Sequence, residues 1–110
     1  MNKTKIKIFL KITKIINKKF CKDKLEINKI VFFNGKHKGK KNDGYYAVNS
    51  KIIGISKKEP LFCQIRTLLH ELTHAYQNQI MNCKGKHNKQ GERVFYKFMK
   101  EIDKTLKISV

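Results

Sequence analysis

The first third of the chain alternates between apolar and basic positions at a helical period. Within residues 3–20 (KTKIKIFLKITKIINKKF), Ile6, Phe9/Leu10, Thr13, Ile16 and Phe20 recur roughly every 3.5 residues. That spacing predicts an amphipathic helix whose outer face is covered by lysine. The pattern then changes. Leu25 to Phe33 (LEINKIVFF) is rich in β-branched and aromatic residues and stops at Asn34-Gly35, a turn signal. Residues 35–44 (GKHKGKKNDG) contain glycine and lysine but no apolar residue, and read as an exposed, mobile loop. Tyr45 to Val48 and Lys51 to Ser56 (KIIGIS) follow as two short strands joined around Asn49-Ser50. Together these segments predict a three-stranded antiparallel sheet.

A second helix is expected to start near Ser56-Lys57-Lys58-Glu59-Pro60. Serine followed three residues later by glutamate is the capping-box pattern, and proline suits a first turn. Leu61, Ile65, Leu68/Leu69, Leu72 and Tyr76 supply its apolar stripe. A break containing Gly85 precedes a last helix from about Gly91, where Val94/Phe95, Phe98/Met99, Ile102 and Leu106 repeat at helical spacing. No internal repeat or separating linker occurs. The expected fold is therefore α+β, with residues 1–110 forming one small domain around one core.

Composition narrows the class. At 40% hydrophobic residues the chain can build a core, so wholesale disorder is excluded. No run of 18 apolar residues exists to cross a membrane. Lys11 and Lys14 interrupt any signal-peptide core near the start. Three cysteines, Cys21, Cys63 and Cys83, make no paired framework, which fits a reducing cytoplasm. The formal net charge of +18 predicts attraction to phosphate, hence to DNA through a basic surface. Only Arg66 and Arg93 are arginine, however, and lysine beside abundant Ile and Asn is also what an AT-rich genome encodes. Charge alone leaves the two explanations balanced.

His70-Glu71-Leu72-Thr73-His74 is an HExxH motif. Two histidines at i and i+4 lie one turn apart on one helix face, so both imidazoles reach a single ion. Glu71, about 100° around the helix, faces the open side of that ion, where a general base belongs. Chance supplies about 0.006 such patterns in a chain of this composition. A catalytic zinc needs a third protein ligand and one open position. Ile80 stands where a third histidine of the longer HExxHxxGxxH pattern would be, which excludes that form. His87 is the preferred third ligand, because a chain reversal at Gly85 brings it back beside the motif. Glu92 and Cys83 are the alternatives, and Glu92 also suits the first turn of the last helix.

The run Thr67-Leu68-Leu69-His70-Glu71-Leu72-Thr73-His74-Ala75-Tyr76-Gln77 resembles the SprT-like zinc metallopeptidases. The similarity spans about residues 25–106, with KIIGIS, TLLHELTHAYQ and HNKQGERVFYKFMKEI in that order. His87 is followed by Asn88, with Gly91 and Phe95 further on, as though a few residues were inserted into the family's His-Gly segment. One cysteine follows the motif, so the zinc ribbon carried by many members is missing. The resemblance implies a minimal zincin: zinc held by His70, His74 and His87 lowers the pKa of its bound water toward 7. Glu71 then takes the proton as water attacks a peptide carbonyl and passes it to the leaving amine. In such folds an edge strand beside the active-site helix pairs with extended substrate. The implied protein is a monomeric cytoplasmic enzyme acting on protein or peptide, with DNA as a second partner.

Tyr45, Tyr46 and Tyr76 are candidates for stabilising the oxyanion, although a core tyrosine is the commoner outcome for each. His37 sits in the basic loop and reads as solvated. Cys21 and Cys63 read as small buried hydrophobes. Phe95, Tyr96 and Phe98 follow helix spacing and read as core. Two rival functions remain: a small basic nucleic-acid-binding protein with structural metal or none, and a zincin that cleaves one specific regulator without DNA.

Overall fold

Ile52–Ser56 is the most deeply buried strand of the three-stranded sheet, and it takes the centre. The computed structural model describes residues 3–37, 39–81 and 89–109. Among these, the elements run α1 (Lys3–Phe20), β1 (Lys29–Phe33), β2 (Lys36–His37), β3 (Lys40–Lys41), β4 (Gly44–Ala47), β5 (Ile52–Ser56), α2 (Leu61–Gln79) and α3 (Lys89–Ser109). The fold is α+β, three helices with a three-stranded sheet of order β1-β5-β4. β2 and β3 form a separate antiparallel pair inside the basic segment that was expected to be all loop.

The sheet is mixed rather than wholly antiparallel. β4 pairs antiparallel with β5, as expected, but β1 pairs with β5 in parallel, from Lys29↔Ile52 to Phe33↔Ser56. Burial explains the difference. A simple meander would put β4 in the middle, yet β4 is only half-buried along its length. Ile53 and Ile55 of β5 are fully buried, so β5 enters between the other two. In an up-down-up chain the first and third strands already run the same way, so seating the third beside the first makes that pairing parallel.

All three helices sit on one side. Ile30, Ile53 and Tyr46 align across the strands, as do Phe32, Ile55 and Gly44. Phe9 of α1 meets Phe32 with ring centroids 5.3 Å apart. α2 lies over β4 and β5, and its Leu68, Leu69, Leu72 and Ala75 are buried. α3 closes the layer through Phe98, whose ring meets Phe20 at 5.2 Å and Tyr76 at 6.0 Å. Lys19 and Glu101 join α1 to α3 at the surface. Beyond α1 the chain turns at Lys22 and Asp23, both at positive φ. There the Asn17 amide holds both backbone groups of Leu25, donating at 2.8 Å and accepting at 2.9 Å.

α2 begins later than its sequence suggests. Ser56 is the last residue of β5, and its backbone N–H donates to Asp43 O at 2.8 Å. Its hydroxyl accepts from Lys58 N rather than capping a helix. Pro60 takes the cap position without a side-chain bond. Leu61, expected in the core stripe, consequently stays exposed at 48%. The buried Gln64 amide donates to Ser56 O at 3.1 Å, tying helix to strand end.

Candidate metal centre

His70 and His74 project from one face of α2, one helical turn apart. Their Nε2 atoms are 3.1 Å apart and their ring centroids 4.7 Å. A tetrahedral zinc with bonds of about 2.0–2.1 Å sets two nitrogen ligands about 3.4 Å apart. The pair is thus already converged to within a few tenths of an ångström of what one ion requires. Phe95 of α3 backs His70, its ring edge-on at 5.8 Å.

Glu71 is buried, with 6% of its surface exposed. Burial removes water from the carboxylate and pushes its pKa up to about 7. Gly44 makes that position available. A Cβ there would collide with Thr67 Cγ2, lie 2.9 Å from Gly54 O and stand 3.3 Å from Glu71 Oε2. Only a residue without a side chain lets β4 run this close to the motif.

The cleft between β4 and α2 has two lobes. The larger, about 350 Å³, includes Asn42, Asp43, Arg66, Thr67, His70 and Phe95 in its walls. The smaller, about 190 Å³, is lined by Tyr46, Val48, His74 and Asn78. Glu71 borders both and so stands at the waist. Tyr46 is held by Gln79, whose Nε2 donates to the tyrosine hydroxyl at 2.8 Å. That bond uses the oxygen as acceptor and leaves the O–H proton to be given elsewhere. Tyr76 packs on Phe98 and Tyr45 on Phe33, so neither shares the cleft wall given to Tyr46.

β4 is also an edge strand. Because Ser56 N bonds Asp43 O, the ladder's alternation turns Asp43, Tyr45 and Ala47 toward β5. Gly44 and Tyr46 turn their backbone groups to the open edge.

The sequence places His70, Glu71 and His74 together, and they are together here. The third-ligand candidates His87 and Cys83 lie outside the described residues. Glu92 is exposed in the first turn of α3, and among the described residues no group of three His, Cys, Asp or Glu forms around the histidine pair. His37 pairs with Lys40 across the small hairpin. Cys21 is a buried thiol, raised by burial to about 11, whereas Cys63 is half-buried. Gly44 and Arg66 were not singled out from the sequence as site residues. Gly44 ends the segment that reads as loop from the sequence, whereas the structure makes it the first residue of β4. No protein-family model, curated protein or solved structure matches this chain.

Proposed function

We propose that this chain is a zinc-dependent endopeptidase of SprT-like type, acting in the cytoplasm on protein or peptide. The observation that carries the reading is the 3.1 Å convergence of His70 and His74 beside a buried glutamate in a cleft. His70, His74 and His87 are the proposed zinc ligands. A zinc ion there would act as a Lewis acid and lower the pKa of water to about 7. Glu71 takes a proton from the attacking water and delivers it to the leaving amine nitrogen. A carboxylate held within reach of both the water and the leaving nitrogen can carry the proton from one to the other. Tyr46 gives its free hydroxyl proton toward the carbonyl oxygen that gains charge. The open edge of β4 takes the substrate backbone as an added strand, through Gly44 and Tyr46.

Metal analysis and a peptidase assay test this directly. Purified protein is expected to hold one zinc per chain, and His70→Ala or His74→Ala to lose it. Glu71→Gln is expected to keep the zinc while activity falls by about 10²–10⁴-fold. Absence of zinc from the wild type, or full activity in Glu71→Gln, rejects the proposal.

A second reading, nucleic-acid binding, is supported by α1. Lys7, Lys11, Lys14 and Lys18 are all exposed and recur at intervals of four, three and four residues. They form one stripe about 16 Å long, opposite the buried Phe9, Ile12 and Ile16. No acidic residue interrupts α1. Such a stripe follows a phosphate backbone, and it would hold the endopeptidase near proteins on DNA.

A further inference from the structure

Arg66 is one of two arginines among 26 basic residues. It stands one turn before His70 on α2, so the two side chains share a face of the helix. Its guanidinium carbon lies 6.0 Å from the centroid of Phe95, the ring that also backs His70. A cation over an aromatic face gains attraction, so an exposed and otherwise free-swinging arm acquires a preferred position. The ion pairs among the described residues are Lys19 with Glu101 and Lys51 with Glu26, and neither uses Arg66. The result is a positioned guanidinium, facing solvent, in the wall of the larger lobe beside His70 and Glu71.

We propose that Arg66 reads a carboxylate of the peptide substrate, on the C-terminal side of the bond that is cut. The proposal rests on the endopeptidase reading and adds a substrate class to it. A guanidinium matches a carboxylate with two parallel hydrogen bonds, which a lysine ammonium cannot do. Phosphate fits the same fork, but Asp43 lines this lobe and repels a doubly charged group more than a singly charged one. Direction follows from the strand. β4 starts at Gly44, against Thr67 and Glu71, and continues to Tyr46, which lines the His74 lobe. A substrate added antiparallel to β4 therefore enters at the His74 end and leaves toward Arg66. Residues after the scissile bond meet the guanidinium.

The test compares pairs of fluorogenic peptides. One series differs by Glu or Gln after the cleaved bond; the other ends in a free acid or an amide. The zinc-loaded wild type is expected to favour the carboxylate in at least one series by about tenfold in kcat/KM, the scale of one charge-assisted hydrogen bond. Preference in the first series alone assigns a side chain, and in the second alone the chain terminus. Arg66→Gln is expected to bring the ratio within about twofold. Lys24→Gln removes the same charge from the exposed turn after α1 and is expected to keep the preference, which excludes a general field effect. Equal cleavage of both members by the wild type, or an undiminished ratio in Arg66→Gln, overturns the proposal. The same pairs, labelled and bound to Glu71→Gln, give a readout without turnover. If the wild type cuts no peptide, the endopeptidase reading fails, and the binding ratio alone decides Arg66: a tenfold preference lost in the Arg66→Gln/Glu71→Gln double variant upholds it, and equal binding rejects it.

Discussion

Glu71 shows how far one residue's surroundings set its chemistry. Its ordinary pKa of 4.5 rises to about 7 because the folded chain excludes water from it. In the unfolded chain the carboxyl ionises near 4.5, while the folded chain keeps the proton until about 7. Between those values the folded state binds more protons, so stability falls as pH rises and levels off above 7. For the metal-free protein the loss is about 3 kcal/mol between pH 4.5 and 8. Urea melts of metal-free wild type and Glu71→Gln check this, with the substitution expected to flatten that part of the profile. Gly44 sets a second residue-scale limit. Gly44→Ala is expected to cost about 1–3 kcal/mol, because backbone at Gly54 cannot retreat as a side-chain tip would. Chemical denaturation with zinc analysis separates lost stability from a lost site. The motif itself was legible because histidines four apart share a helix face by local geometry alone. Gly44 was not, because its reason lies 23 residues away at Thr67, and only the fold brings the two together.

At the scale of elements, what the sequence made legible was period, and what it hid was partnership. α1 and β5 occupy nearly the spans their patterns predict, since apolar spacing reports which face is buried. The direction in which β1 pairs with β5 could not be read the same way. Alternation of side chains is identical for a parallel and an antiparallel neighbour. The late start of α2 was hidden for a related reason: Ser56 could serve a helix cap or a strand end, and the β4–β5 ladder claims it. α1 carries the prediction proper to this scale. Changing Lys7, Lys11, Lys14 and Lys18 together to Gln leaves the buried face untouched. It is expected to weaken DNA binding and reduce the slope of log K against log salt by about 3–4, near 0.9 per lost phosphate contact. Fluorescence anisotropy across a salt series checks the slope. An unchanged slope would place any DNA contact elsewhere.

Over the whole molecule, a charge of +18 on 110 residues makes the folded chain repel itself. Added salt shortens the reach of that repulsion, from a Debye length of about 10 Å at 0.1 M to about 3 Å at 1 M. Thermal melts are expected to rise over that range, as calorimetry can measure. Among the described residues no helix is long and apolar enough to cross a membrane. The open edge of β4 gives the same charge another consequence. An unpaired strand edge is a template for any extended chain, including a second copy of itself. With only Gly44 and Tyr46 turning backbone groups outward, the edge can start such pairing but offers little to hold it against two bodies of like charge. Electrostatics would then act as an internal chaperone: it keeps copies apart and leaves the edge vacant for a less basic visitor. Remove that spacing with salt, and the first competitor for the edge is a second copy of the same chain.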